Sequence, residues 1–110
     1  MPVAQLVEAY AKDANAANSK FAGNFVTLHG KLKIQFPSGR AKPVNAADVA
    51  QAKVYFDIKD EDKLQVECFL LDEDMIRQLQ TGKDYRVLGK VDKFVPGRPI
   101  PVRDAIVTMD

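Results

Sequence analysis

The sequence predicts a mainly β fold: a five-stranded Greek-key barrel with an α-helix at its N-terminus and a short helix between the third and fourth strands. Three observations carry this expectation. Apolar and polar residues alternate over five separate stretches, the period of half-buried strands. Two of those stretches are unusually long and carry a glycine near their centre, Gly30 and Gly89. One helix-forming segment precedes them all. A length of 110 residues with 46% apolar and 28% charged side chains is that of one globular domain, residues 1–110. It needs neither a disulfide nor a metal to stay folded.

The leading segment, 2–20, places Val3, Leu6, Val7 and Tyr10 at i, i+3, i+4 and i+7 and is rich in alanine, which predicts one amphipathic helix packed on the barrel. Asn18 and Ser19 mark its exit and Gly23 the break before the first strand. From 24 to 36 the period changes to two, with Val26, Leu28, Gly30, Leu32, Ile34 and Phe36 inward and Phe25, Thr27, His29, Lys31, Lys33 and Gln35 outward. A strand this long must coil, and Gly30 on its inner face permits the bend.

Turn chemistry at 37–40 ends that strand, and Asn45 is placed to cap a short helical turn over 45–52. Residues 53–58 form the second strand, 59–62 a charged hairpin turn, and 63–71 the third strand, with Leu64, Val66, Cys68 and Leu70 inward. The run from Cys68 to Leu71 is apolar on both phases, which predicts cover from both sides. Asp72 or Asp74 caps the next helix, whose stripe is Met75, Ile76 and Leu79 and which stops at Gly82. The fourth strand spans 85–95 with Tyr85, Val87, Gly89 and Val91 inward. The fifth spans 100–109, and Arg103-Asp104 interrupts its alternation as a bulge does. Five strands with a helix between the third and fourth is the order of the OB-fold. A five-stranded sheet with helices on one face is the alternative, and the two glycine-centred long strands favour the barrel.

The ordered motifs Leu6-Val7-Glu8-Ala9-Tyr10, Phe21-Ala22-Gly23-Asn24, Leu28-His29-Gly30-Lys31-Leu32, Val66-Glu67-Cys68-Phe69 and the stretch from Leu79 to Val91 span almost the whole chain. In order and spacing they resemble the bacterial tRNA-anticodon-like OB-fold family. The resemblance implies the barrel first and nucleic-acid binding second. The connection from Phe36 to Lys53 is longer than that family's compact pattern.

Sixteen Lys and Arg face fifteen Asp and Glu, for a net charge of +1. That sum hides segregation by sign. Residues 20–53 carry +5, residues 57–74 carry −6, and residues 83–103 carry +4. Because the first and fourth strands of an OB barrel pair, Lys31, Lys33, Arg86, Lys90 and Lys93 are expected on one surface, joined by Arg40, Lys42 and Arg98 from loops. A phosphate backbone is attracted to such a surface. A solvated strand face that blunts edge pairing is the plainer reading of the same lysines.

Base stacking needs exposed rings, and the outward candidates are Phe25, His29, Tyr55, Phe69 and Phe94. For the three Phe, cover by the N-terminal helix or the long loop is the alternative, and the usual burial of Phe favours it. The expected nucleic-acid set therefore comprises those eight cations with His29, Tyr55 and Phe69.

One His and one Cys cannot complete a metal site, so His29 is expected as an exposed strand residue and Cys68 as core with a raised thiol pKa. No phosphate loop, nucleophile elbow or catalytic carboxylate pair is recognisable, so no enzyme, catalytic residue, metal or cofactor is expected. The acidic clusters 60–62 and 72–74 read as a turn and a helix N-terminus. Single-stranded DNA or RNA, bound with little sequence specificity, is the first expected partner. A protein partner or a second copy is the alternative. No stretch is long and apolar enough to span a membrane. The start, Met1 to Gln5, lacks a charged n-region and an apolar h-region, so the cytoplasm is expected as written, and the periplasm or envelope if a leader has been trimmed.

Overall fold

The computed structural model describes residues 1–37, 39, 43, 45–58 and 64–109. Five strands, β1 (Phe25–Gln35), β2 (Lys53–Phe56), β3 (Val66–Leu70), β4 (Asp84–Val91) and β5 (Ile100–Met109), close into a barrel in the order β1-β2-β3-β5-β4, with β4 returning to β1. β3 and β5 run parallel and all other pairs antiparallel. This is the OB-like barrel read from the alternation, with a 3-10 helix (Glu73–Gln78) between β3 and β4.

β1 closes the barrel because it serves two neighbours in turn. Its first part, Phe25 to Lys31, pairs with β4; its last part, Leu32 to Gln35, pairs with β2. Along the edge that β2 does not reach, the Met1 nitrogen donates to Thr27 O and Met1 O accepts from the His29 amide, both at 3.0 Å. Gly30 lies inward at the bend, and a Cβ built there would stand 3.0 Å from Phe56 Cδ1 and 3.1 Å from Val3 Cγ1. Gly89 is tighter still: a Cβ there would run into Val102 Cγ1 and lie 3.2 Å from the Arg103 carbonyl oxygen. Both glycines are required by close approach across the barrel.

The bulge in β5 is where the sequence places it. Leu88 faces Ile106 while Lys90 faces Arg103, so one residue of β4, Gly89, opposes two of β5, Asp104 and Ala105, and β3 shows the same slip between Cys68 and Leu70. Asp104 absorbs the extra residue at φ 51°, a left-handed conformation that Asp tolerates better than most side chains. The slip keeps Ile100, Val102, Ala105 and Val107 all in the core.

Several boundaries differ from the expectation. The leading helix is two, α1 (Val3–Lys12) and α2 (Ala14–Phe21), because Asp13 is extended and accepts a hydrogen bond from the Ala16 amide as the N-cap of α2. Capping by Asp outweighs the helix propensity of the alanines around it. Asn18, expected at a helix exit, lies within α2 and latches it to the barrel. Its Oδ1 accepts from the Phe94 amide (3.1 Å) and the Tyr10 hydroxyl (3.2 Å), while its Nδ2 donates to Phe94 O (3.3 Å).

That latch also shortens the fourth strand, which ends at Val91 instead of 95. Asp92 accepts from the Lys93 amide, and Phe94 turns inward against Tyr10, with ring centroids 5.3 Å apart. The other strands also end a residue or more short of the expected limits, except β5. Cover on both sides of the Cys68–Leu71 run is not found: Phe69 is 38% and Leu71 63% exposed, with the Arg103 guanidinium over the Phe69 ring. Asn45 caps α3 (Ala46–Gln51), and Asp72 caps the 3-10 helix, as expected. The charged turn at 59–62 lies outside the described residues.

Candidate nucleic-acid interface

The alternation that buries Leu28 and Leu32 of β1 sends Phe25, Thr27, His29 and Lys31 to the outer surface, and pairing with β4 decides what stands beside each. Phe25 faces Lys90, Thr27 faces Leu88, His29 faces Arg86 and Lys31 faces Asp84. β5 extends the rows: Lys90 to Arg103, Leu88 to Ile106, Arg86 to Thr108. The outer face of β1, β4 and β5 therefore carries an apolar row, Leu88–Ile106, between rows that hold cations.

The row through Phe25 is the most distinctive. Phe25 is 61% exposed, which overturns the expectation that a covering element buries it. Next to it stand Lys90 and then Arg103, whose guanidinium lies 4.5 Å from the centroid of the Phe69 ring on β3. Around the barrel this row reads ring, cation, cation, ring. Arg103 is steadied by Asp92, 2.6 Å away. The Asp92 carboxyl is held below the usual carboxylate range, first by the Lys93 amide and then by Arg103.

Of the expected set, His29, Arg86 and Lys90 share this face. Lys31 lies at its edge in an ion pair with Asp84 (3.2 Å), both side chains more than half exposed. Such a pair contributes little to stability. Lys33 and Tyr55 stand opposite each other where β1 meets β2, and Tyr55 also faces Glu67. Burial first, and Glu67 second, raise the Tyr55 hydroxyl pKa. Lys93 and Arg98 are exposed beyond β4, and Arg40 and Lys42 fall outside the described residues. Phe94 is buried beneath Tyr10 and leaves the set of outward rings. The sequence reading missed Leu88, Ile106 and Arg103. Leu88 sits on the polar phase of β4, a signal that was legible; Ile106 reaches the outer face only through the bulge.

Acidic groups gather elsewhere: Glu67 on β3, and Asp72, Glu73 and Asp74 at the 3-10 helix. Beside them a cleft of about 360 Å³ opens between α3 and the 3-10 helix, lined by Val49, Val54, Glu67, Glu73 and Ile76 with Cys68 at its edge. Cys68 is buried, and its thiol is pushed up to about 12, by burial first and Glu67 second. The folded thiol keeps its proton where the unfolded one loses it, so stability is full below the unfolded pKa near 9 and falls as pH rises toward 12. In urea titrations at pH 8 and pH 10.5, Cys68→Ala is expected to lose less stability over that interval than the parent. Equal losses would contradict a buried, protonated thiol.

No family model matches the chain, and no curated protein matches it at a significant level. Among solved structures the fold is similar to the crystal structure of a protein named "putative nucleic acid-binding lipoprotein" from Klebsiella pneumoniae subsp. pneumoniae MGH 78578. The TM-score is 0.68 at 17% sequence identity, over 98% of this chain and 91% of that one. At that identity the likeness is one of fold.

Proposed function

We propose that the chain is a non-enzymatic OB-like binding module for single-stranded nucleic acid, with little sequence specificity, of the kind its resemblance to the bacterial tRNA-anticodon-like family implies. The observation that carries this reading is the placement of Arg86 and Lys90 on the outer face of β4, directly across from His29 and the exposed Phe25. Cations attract the phosphate backbone without reading sequence, and an exposed ring beside them stacks any base. The name of the similar structure supports the same ligand class. That neighbour is also a lipoprotein by name, which supports the envelope placement over the cytoplasmic one. Among the described residues no helix is long and apolar enough to cross a membrane.

A second reading has one specific observation in its favour. Leu88 and Ile106 lie directly opposite each other, 43% and 46% exposed, and paired exposed aliphatics suit a protein partner or a second copy.

Anisotropy titration of fluorescein-labelled single-stranded DNA and RNA at about 20 mM salt separates the two. Binding that weakens steeply as salt rises, with duplex bound less well, is the expected result. No binding of either strand, together with light scattering from a dimer, would overturn the nucleic-acid reading in favour of the second.

A further inference from the structure

OB barrels commonly hold oligonucleotides on the face of strands two and three. In this chain that face is poorly suited to a polyanion. Its outward residues are Lys53, Tyr55, Glu67 and Phe69, with Lys33 opposite Tyr55, and Glu73 and Asp74 follow on the 3-10 helix, so cations there are matched by acids. The outer face of β1, β4 and β5 carries Phe25, Arg86, Lys90 and Arg103, and reaches β3 at Phe69 alone.

We infer that a single strand is held across β1, β4, β5 and β3, one base on the Phe25 ring and another on the Arg103–Phe69 stack, with the intervening phosphate on Lys90. This rests on the nucleic-acid reading and adds to it the face, the two stacking positions and the path. The geometry supports it in four ways. Phe25, Lys90 and Arg103 are successive register partners, so they form one row across the sheet. At about 4.8 Å between neighbouring strands, the row from β1 to β3 is roughly 15 Å long, enough for two bases with a phosphate between them. The Arg103 guanidinium already lies on Phe69 at 4.5 Å and is anchored by Asp92 at 2.6 Å, so one side of it is held by protein and the other can take a base. Leu88 and Ile106, one row along the strands, give an apolar floor to the same bases.

Charge selects the occupant. The cations on and beside the row are Lys90, Arg103 and Arg86, with Lys93 just past the end of β4; Asp92 and Asp104 are the acids at its β5 side. Asp92 accepts with both oxygens, from the Lys93 amide and from Arg103, and is left in place; Asp104→Asn keeps a residue that tolerates the left-handed backbone and removes a repulsive charge. An anionic ligand should gain from that change, and an apolar protein partner should be indifferent to it.

The chain contains no tryptophan, so Phe25→Trp creates a single indole emitter on the row. Phe25 is 61% exposed, so this variant and Phe25→Ala are expected to fold like the parent. Oligo(dT) of 12 nucleotides is the probe, with an abasic strand of equal length as the control. The indole emission of Phe25→Trp should be quenched by oligo(dT) and little changed by the abasic strand. Phe25→Ala should weaken oligo(dT) binding about 5- to 150-fold, the range for one stacked base. Asp104→Asn should tighten it.

If oligo(dT) binds the parent but leaves the indole emission unchanged and Phe25→Ala without effect, this path is wrong and the nucleic-acid reading survives. If the parent binds no strand, both fall. Quenching by self-association at micromolar concentration, or by vesicles containing phosphatidylglycerol, in the absence of oligonucleotide quenching also overturns it and assigns the face to that occupant.

Discussion

Replacing Phe56 with alanine is expected to lower the stability of the domain by about 3–5 kcal/mol, the cost of deleting a fully buried aromatic ring. Phe56 is the largest of the side chains sealed in the barrel, and its ring passes over Gly30 at the bend of β1. Measured against the roughly 5–15 kcal/mol that holds a small domain together, this is a large share. The two positions should be strongly coupled.

On the parent, Gly30→Ala gains about 0.4–1 kcal/mol from a stiffer unfolded chain but adds a methyl against the Phe56 ring and Val3, and overpacking of about 1–3 kcal/mol wins. With Phe56 shortened to alanine, the added methyl enters space vacated by the ring, with Val3 as its remaining close neighbour, and the penalty should shrink. Urea denaturation of the four proteins in the cycle checks this. Strict additivity would mean that Gly30 is not set by the Phe56 ring.

Reversing both cations of β4, Arg86→Glu with Lys90→Glu, is expected to weaken single-strand binding at least about tenfold, from two lost phosphate contacts and the repulsion that replaces them. Both side chains are exposed, so the fold should be affected by no more than about half a kcal/mol each. A reversal at Glu73, on the acidic side of the molecule, serves as the matched control. It should leave binding unchanged or slightly stronger, because its charge lies away from the proposed path.

Much of the fold was legible because strand alternation has a period that no other element shares. Leu28, Leu32, Val54, Val66, Val87 and Val102 all fall in the core on that rule alone. The bulge at Arg103-Asp104 was legible for the same reason, as a break in phase. What escaped were decisions made by single polar side chains. Asp13 divides a run of alanines that propensity joins, and Asn18 reaches across to Phe94 and ends β4 early. A hydrogen bond between positions 76 residues apart leaves no periodic trace.

The candidate site was legible in its cations and less so in its rings. Arg86, Lys90 and His29 came together because β1 and β4 pair, which the fold class implies. Phe25 was expected beneath the helix or the long loop because Phe is usually buried, whereas Tyr10 of α1 packs between Phe21 of α2 and Phe94, and Phe25 is left 61% exposed. Among the described residues, Glu67, Asp72, Glu73 and Asp74 stand apart from Arg86, Lys90 and Arg103, with Asp84, Asp92 and Asp104 as the acids inside the basic half.

The slope of binding affinity against salt decides whether Arg86 and Lys90 meet a phosphate backbone. Each phosphate contact with a single strand contributes about 0.7 to the slope of log K against log salt. The parent should therefore give a slope steeper by about 1.4 than the charge-neutral variant Arg86→Gln with Lys90→Gln. Parallel lines for the two proteins would mean that these residues do not meet the backbone, and that the outer face of β1 and β4 is not where this protein holds nucleic acid.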